Sequence, residues 1–172
     1  MNRACKTLLI ILFHSLLVPP IASAQPYIGL DLGTATINSA YEDATSAYIY
    51  AGYDFNNNIS IEAGVTPLGY YKHKITAATM QFDGFEIDVL KKFEMKGNFT
   101  PYIMAGYYSY TFKPALAGVP LGEINGNSMT YGLGLTMDLA QTLKTRIAYE
   151  VYDSIETEKV ERVVIGLAAK IF

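Results

Sequence analysis

His73 is the first residue of this 172-residue chain to consider for chemistry, because an imidazole can act as the base that activates a serine for attack on an ester. It lies in the segment Tyr70-Tyr71-Lys72-His73-Lys74. No serine is near it in the sequence, and no catalytic motif surrounds it. The segment therefore favours a basic loop that is solvated or contacts lipopolysaccharide, and we expect the chain not to be an enzyme.

A second set of residues with chemical potential consists of acids and arginines at alternating positions in otherwise apolar segments. Glu62, Glu86, Glu150 and Arg146 could serve as paired carboxylates for acid–base catalysis, or they could line a channel. They could also form an interior network, because an unpaired buried charge is costly. The sequence favours the network, and its predicted members are Asp31, Glu62, Glu86, Asp88, Arg146, Glu150 and Arg162.

The N-terminal segment has the three parts of a secretory signal peptide. Arg3 and Lys6 form a basic start, an apolar run covers Thr7 to Val18, and Ala22-Ser23-Ala24 offers small residues for cleavage. The run is shorter than the roughly 20 residues of a spanning helix, and Pro19-Pro20 ends it. We therefore expect export, removal of residues 1–24, and a mature domain of residues 25–172.

Composition excludes several classes of function for that mature domain. Removal of Arg3 and Lys6 lowers the number of Lys and Arg from 13 to 11, against 16 acids, so the net charge becomes −5. This charge argues against nucleic acid as a partner. The only cysteine, Cys5, is removed with the signal, which excludes a disulfide, a thiolate nucleophile and a cysteine metal site. We expect no cofactor and no metal.

The elements that carry the charged set are predicted to be strands, because apolar and polar residues alternate with a period of two. The alternation defines eight runs, and the connections after the second, fourth and sixth runs are short. These short turns must share one end of the sheet, and the longer loops the other. The eight runs are Tyr27–Thr34, Ser46–Phe55, Ile59–Thr66, Phe85–Phe93, Phe99–Phe112, Thr130–Leu139, Leu143–Tyr152 and Arg162–Ile171.

The two faces of these strands differ in a way that predicts a membrane. Glycines and nearly all the charges lie on one face, whereas Leu, Ile, Val, Phe and Tyr lie on the other. Eight strands enclose a lumen that side chains just fill, so the bulky residues are expected outside. An apolar exterior requires lipid, and strands cross lipid only as a closed cylinder. We predict an all-β, eight-stranded antiparallel up-and-down transmembrane barrel.

Aromatic residues and one lysine support the same arrangement. Aromatic belts are expected near both membrane surfaces, and the only charge on the apolar face, Lys91, lies beside a turn where its cost is about 0 to 1 kcal/mol. Aromatic filling of a soluble barrel is the alternative. The belt residues are Tyr53, Phe55, Phe93 and Phe99 near the turns, and Tyr107, Tyr131 and Tyr149 near the loops.

Four segments resemble the eight-stranded outer-membrane barrels of the OmpA-like and OmpX-like kind, within the porin family of barrel domains. They are AGYDFNNNISIEAGV (51–65), FTPYIMAGYYSY (99–110), YGLGLTMDLAQTLKTRIAYEVYD (131–153) and VVIGLAAKIF (163–172). The resemblance implies a location in the bacterial outer membrane, with turns in the periplasm and loops outside. The implied loops are Ala35–Thr45, Pro67–Lys74, Lys113–Asn127 and Asp153–Val160. It also implies that Phe172 belongs to an assembly signal read by the barrel-assembly machinery.

These observations predict a structural or surface-interaction role, similar to adhesion, exerted through the extracellular loops. The expected partners are outer-membrane lipid, lipopolysaccharide and a host or matrix ligand. A narrow porin-like channel for small solutes is the second hypothesis. The third is an enzyme that modifies lipid A, since some barrels of this size use a histidine with a serine on acyl esters.

Overall fold

A computed structural model describes residues 25–56, 58–95, 97–156 and 158–171, which form an antiparallel β-barrel. Residues 1–24 and Phe172 lie outside the described residues. Within the described residues no helix is long and apolar enough to span a membrane. The strands are β1 Gln25–Thr36, β2 Ala44–Asn56, β3 Ile59–Val65, β4 Gly69–Lys72, β5 Ala78–Lys92, β6 Phe99–Leu116, β7 Val119–Pro120, β8 Ile124–Asp138, β9 Leu143–Ile155 and β10 Glu158–Lys170.

The barrel closes because β1 pairs with β2 on one side and with β10 on the other. The other long strands follow in chain order around the barrel, and each is antiparallel to the strands on either side of it. β5 pairs with β3 and then with β4 along the same edge, so β3 and β4 together occupy one position in the wall. β7 is a two-residue strand paired only with the end of β6. The predicted eight-stranded up-and-down barrel is therefore confirmed.

The alternation of side chains separates an apolar exterior from a polar interior. Leu133 is 60% exposed and Ile165 is 66% exposed on the outer wall, whereas Arg146 is only 4% exposed. A soluble barrel would show the opposite arrangement, because it hides its apolar residues. The outer face thus carries aliphatic side chains on every strand that builds the wall, as lipid requires.

The two ends of the barrel differ in the length of their hairpins. At the turn end, defined here by the β2–β3, β5–β6 and β8–β9 connections, the chain reverses soon after the apolar band. At the hairpin end the strands continue further than predicted: β5 begins at Ala78, and β6 continues to Leu116. Outward residues here include Thr111 and Lys113, which can contact water while the backbone ladder continues.

The expectation of long loops is consequently wrong at several places. The predicted loop Asp153–Val160 is mostly strand, with two residues between β9 and β10 and Glu156 at a φ of 49°. The predicted loop Lys113–Asn127 is mostly hairpin, and β4 lies inside the predicted loop Pro67–Lys74. The physical reason is that paired strands satisfy their backbone hydrogen bonds in water as well as in lipid.

The interior also differs from the expectation that bulky residues lie outside. Tyrosine rings fill it, and several of them lie over glycines of the neighbouring strand. A Cβ at Gly29 would overlap the Tyr50 ring, and one at Gly134 would overlap Tyr102. The glycines therefore make room for inward rings. The buried tyrosines are Tyr27, Tyr48, Tyr50, Tyr71, Tyr102, Tyr108, Tyr110 and Tyr152.

Candidate functional site

In the half of the lumen toward the turn end, interior charges form a cluster around Arg146 of β9. Its Nε donates to Oδ2 of Asp31 on β1 at 2.7 Å, and its Nη1 donates to Oε2 of Glu62 on β3 at 2.8 Å. The Tyr27 hydroxyl donates to Oε1 of Glu62 at 2.8 Å. The guanidinium also lies 4.4 Å from the Tyr50 ring centre. One cation of β9 thus contacts β1 and β3 across the β1–β10 seam that closes the barrel.

A second cluster lies around Arg162 of β10. Its Nε donates to Oε2 of Glu150 at 2.8 Å, and its Nη2 contacts the same oxygen. The guanidinium lies 5.7 Å from the Tyr48 ring centre and 5.6 Å from that of Tyr152. Arg162 and Glu150 are both fully buried, so this is an ion pair without solvent screening.

Glu86 and Asp88 of β5 complete the predicted set, but they contact hydroxyl groups instead of arginines. Oε2 of Glu86 accepts hydrogen bonds from Thr66 at 2.7 Å and from Tyr152 at 3.0 Å. Asp88 accepts from Tyr48 at 3.2 Å and from Thr130 at 3.1 Å. The structure thus brings all seven predicted network residues into one interior.

The sequence analysis missed the hydroxyl donors, as well as an ion pair at the turn end. Lys92 Nζ lies 2.5 Å from Oδ1 of Asp54, which also accepts from the Ser60 hydroxyl at 2.5 Å. Strand parity puts Tyr48, Ser60 and Lys92 on the polar face with the buried acids, but parity alone does not show which of these groups contact one another.

The interior leaves little room for a substrate. At the turn end, Tyr27, Glu62 and Arg146 line a cavity of about 30 Å³. A space of this size suits one or two water molecules. The carboxylates of this cluster therefore lack space for a sugar or an acyl chain, and their contacts serve to hold the wall strands together.

An apolar cluster, here called the aromatic plug, closes the hairpin end above the charged network. The rings of Phe82 and Phe112 stack at 4.9 Å, and Tyr108 meets Tyr152 edge to face at 5.0 Å. The fully buried members of the plug are Ala35, Leu68, Tyr71, Phe82, Tyr108, Tyr152, Ile155 and Val160. The plug separates the polar interior from the solvent at this end.

His73 lies at the rim of the hairpin end, outside the interior network. Its Nδ1 accepts hydrogen bonds from the backbone N–H groups of Ile75 at 3.2 Å and Thr76 at 3.1 Å. Its ring meets that of Tyr41 edge to face at 5.0 Å. These contacts use Nδ1 to hold a turn, so this nitrogen is not directed at a nucleophile.

Two adjacent hairpins expose an apolar surface beyond the lipid-facing band. The Ala117 N–H donates to the Ala77 carbonyl at 2.9 Å, which joins the β6–β7 turn to the β4–β5 connection. Ile75 is 90% exposed and Leu121 is 64% exposed. We call the exposed residues Ile75, Leu116, Val119 and Leu121 the tip patch.

Solved structures share this fold at low sequence identity. The N-terminal β-barrel domain of Pseudomonas aeruginosa OprF is 13% identical, with a TM-score of 0.64, and the match covers 87% of this chain and 100% of that one. Neisserial surface protein A is 14% identical with a TM-score of 0.63, covering 86% and 97%. Ail, the attachment invasion locus protein of Yersinia pestis, is 14% identical with a TM-score of 0.59, covering 86% and 97%.

Family comparison assigns the chain as a whole. No significant match to a curated protein is found. The family model of the outer membrane protein beta-barrel domain matches residues 8–169. This match agrees with the apolar exterior, the closed ring of strands and the polar interior described above. The chain therefore belongs to the outer membrane protein beta-barrel domain family, whose place is the bacterial outer membrane.

Proposed function

We propose that this barrel is a surface-interaction protein that binds a host or matrix protein through the tip patch, with its hairpin end outside the cell. The exposure of the tip patch is the observation that carries this proposal. Aliphatic side chains beyond the lipid-facing band gain nothing from the membrane, and exposed apolar patches mark interaction sites. Pro114 and Pro120 flank the patch and disfavour strand pairing between copies.

Charge at the hairpin end helps to select the class of ligand. Ail was solved with a heparin analogue, sucrose octasulfate. The hairpin end of this chain has eight acids against four lysines, so a sulfated polyanion would be repelled. The residues counted are Glu42, Asp43, Asp83, Glu123, Asp153, Glu156, Glu158 and Glu161 against Lys72, Lys74, Lys113 and Lys159. An apolar protein surface is the better match.

The filled interior weighs against the channel hypothesis. The aromatic plug and the two arginine clusters lie in series along the lumen. A solute would have to displace both packed rings and buried ion pairs. The lipid A enzyme has still less support, because His73 uses Nδ1 for backbone contacts at the rim.

The remaining partners follow from the proposed location. The apolar wall would contact outer-membrane lipid, including lipopolysaccharide in the outer leaflet. The barrel-assembly machinery would read the C-terminal strand and Phe172. Export would use the signal peptide of residues 1–24, with cleavage before Gln25.

A display experiment tests the proposed role. Bacteria that display the wild-type chain are compared, for binding to cultured cells and to matrix-coated wells, with bacteria that display Leu116→Ser/Val119→Ser/Leu121→Ser. We expect binding to fall by about tenfold or more, the effect of losing roughly 1.4 kcal/mol. Glu156→Gln/Glu158→Gln is the control at another exposed turn. Equal binding by the wild type and the tip variant would exclude the tip patch as the contact.

A further inference from the structure

The charges inside the barrel do not balance. Five buried carboxyl groups accompany two buried arginines and one buried lysine, Lys92, which is paired with the part-buried Asp54. Three of the carboxyl groups, those of Asp31, Glu62 and Glu150, contact a guanidinium. Within the described part of the chain, neither Glu86 nor Asp88 has a salt bridge with a lysine or arginine. We call these two residues the carboxyl pair.

The carboxyl pair lies on one face of β5, two positions apart, and a third acid flanks it. Glu62 of β3 is directly opposite Asp88 in the strand register. Oε1 of Glu86 is buried without a hydrogen-bond partner among the described residues, and so is Oε1 of Glu150. In contrast, both oxygens of Asp88 accept hydrogen bonds.

Within the described part of the chain, the strands packed around the carboxyl pair supply no cation that is not already paired. Arg162 is the cation that acts on Glu86, and it already contacts Glu150 directly. From β8, the Thr130 hydroxyl donates a hydrogen bond to Asp88 but brings no charge. The titratable and charged groups that face the pair are Tyr48 of β2, Glu62 of β3, Tyr108 of β6, Glu150 and Tyr152 of β9, and Arg162 of β10.

Two buried carboxylates without a cation would destabilise a barrel surrounded by lipid. A buried ion costs several kcal/mol unless a partner offsets this cost, and a group in that position neutralises instead. A metal ion could supply the charge, but no group of three or more potential metal ligands occurs among the described residues. A proton needs only one free carboxyl oxygen.

We propose that the carboxyl pair binds a proton, held on Oε1 of Glu86, when the barrel folds into the bilayer. Oε2 of Glu86 keeps its hydrogen bonds from Thr66 and Tyr152, and Oε1 becomes an O–H group. The proton comes from bulk water and returns there on unfolding. One negative charge then remains on Asp88, which has two hydroxyl donors.

This assignment predicts how stability depends on pH. Above about pH 5 an unfolded glutamate has released its proton. The folded barrel then binds more protons than the unfolded chain, so its stability falls as the pH rises. Over the pH range in which the folded barrel holds a proton that the unfolded chain lacks, the unfolding equilibrium constant should rise about tenfold per pH unit for each proton released on unfolding.

Infrared spectroscopy of the barrel in vesicles of ether-linked phosphatidylcholine, which has no ester carbonyl to hide the band, tests the proton directly. Wild type should show the carbonyl stretch of a protonated carboxylic acid at neutral pH, and Glu86→Gln should lose it. Glutamine keeps an oxygen acceptor for Thr66 and Tyr152, so the variant should fold. Heat-dependent gel mobility checks folding, and Glu158→Gln, at an exposed position, is the matched control and should retain the band.

Several results would overturn the proposal. These are the absence of a protonated carboxyl band in the wild type, and a band that persists in folded Glu86→Gln. Should that variant not fold, urea unfolding of the wild type in vesicles at mildly acidic and mildly alkaline pH decides: equal stability would refute proton uptake. None of these measurements involves the tip patch, so the proposed binding role stands or fails separately.

Discussion

At the scale of single residues, Arg146 and its partners link strands that lie far apart in the chain. Arg146 contacts Asp31, 115 positions away, and Glu62, 84 positions away. Their contacts fix the positions of β1, β3 and β9 around the lumen. Outside the apolar band, Lys113 has a simpler partner: its hydrogen bond with Asp83 raises the pKa of the lysine, which keeps this ammonium charged.

Arg146→Met should cost about 3–5 kcal/mol of unfolding free energy, because it leaves two buried carboxylates without their cation. Urea unfolding in vesicles, followed by circular dichroism, measures the change. Lys144→Met is the matched control on the same strand, since Lys144 lies 3.7 Å from a more exposed Asp138. Adding Asp31→Asn and Glu62→Gln to Arg146→Met should restore part of the loss. Similar losses in Arg146→Met and Lys144→Met would contradict the role of the cluster.

Gly29→Ala should destabilise the barrel by about 1–3 kcal/mol, because the new methyl group overlaps the Tyr50 ring. The same unfolding assay measures the penalty. In a Tyr50→Leu background the penalty of Gly29→Ala should become smaller, since the smaller side chain can move aside. An unchanged penalty in that double-mutant cycle would show that the ring is not the cause.

At the scale of elements, each wall strand has a lipid-facing portion and a portion beyond the membrane. β6 has 18 residues, which exceeds the roughly 9 to 11 needed for a tilted crossing. Its outer-wall side chains change from Ile103 and Tyr107 to Thr111 and Lys113 along its length. The change from apolar to polar outward residues therefore marks the membrane surface along this strand.

Leu133→Lys, in the middle of the apolar band on β8, should cost about 2–4 kcal/mol. Leu139→Lys, at the β8–β9 turn, should cost only about 0–1 kcal/mol, because the ammonium reaches water there. Lys91 already occupies an exposed position near the turn end of β5. The comparison comes from the unfolding free energies of the two variants, measured in vesicles. Equal costs would mean that the band around Leu133 does not face hydrocarbon.

At the scale of the whole molecule, the barrel combines a filled interior with an exposed apolar surface at one end. The aromatic plug and the arginine clusters fill successive levels of the lumen. The hairpins at one end then present the tip patch to solvent. A rigid closed wall suits a protein that displays hairpins, because the strands hold the hairpins at fixed positions.

Planar-bilayer recordings should show no current steps above leak for the wild type, because the aromatic plug and the arginine clusters obstruct the described interior. A porin added to the same bilayer provides the positive control. Stable steps that depend on the folded chain would revive the channel hypothesis. In that case Phe82→Ala, which removes one ring from the plug, should increase the size of the current steps.

Local patterns along the chain set the direction of most side chains, because strand geometry repeats every two residues. That period placed Leu133 outside and Arg146 inside, and it required lipid around the barrel. Local patterns predicted the eight strands and the short turns between them. They did not predict how far the strands extend beyond the membrane. β9 and β10 extend almost to the turn that joins them, because antiparallel pairing satisfies their backbone hydrogen-bonding groups. This pairing cannot be seen in the alternation pattern of one strand alone.

The contacts between interior groups depend instead on how the closed sheet brings distant strands together. Ring closure brings Asp31 of β1 to Arg146 of β9, and the cross-strand register places Gly29 beside Tyr50. Tyrosine could not be assigned from composition, because the same ring faces lipid at Tyr107 and packs over glycine at Tyr50. The tip patch likewise depends on two hairpins meeting. These outcomes are set by register and curvature, which are properties of the closed sheet as a whole.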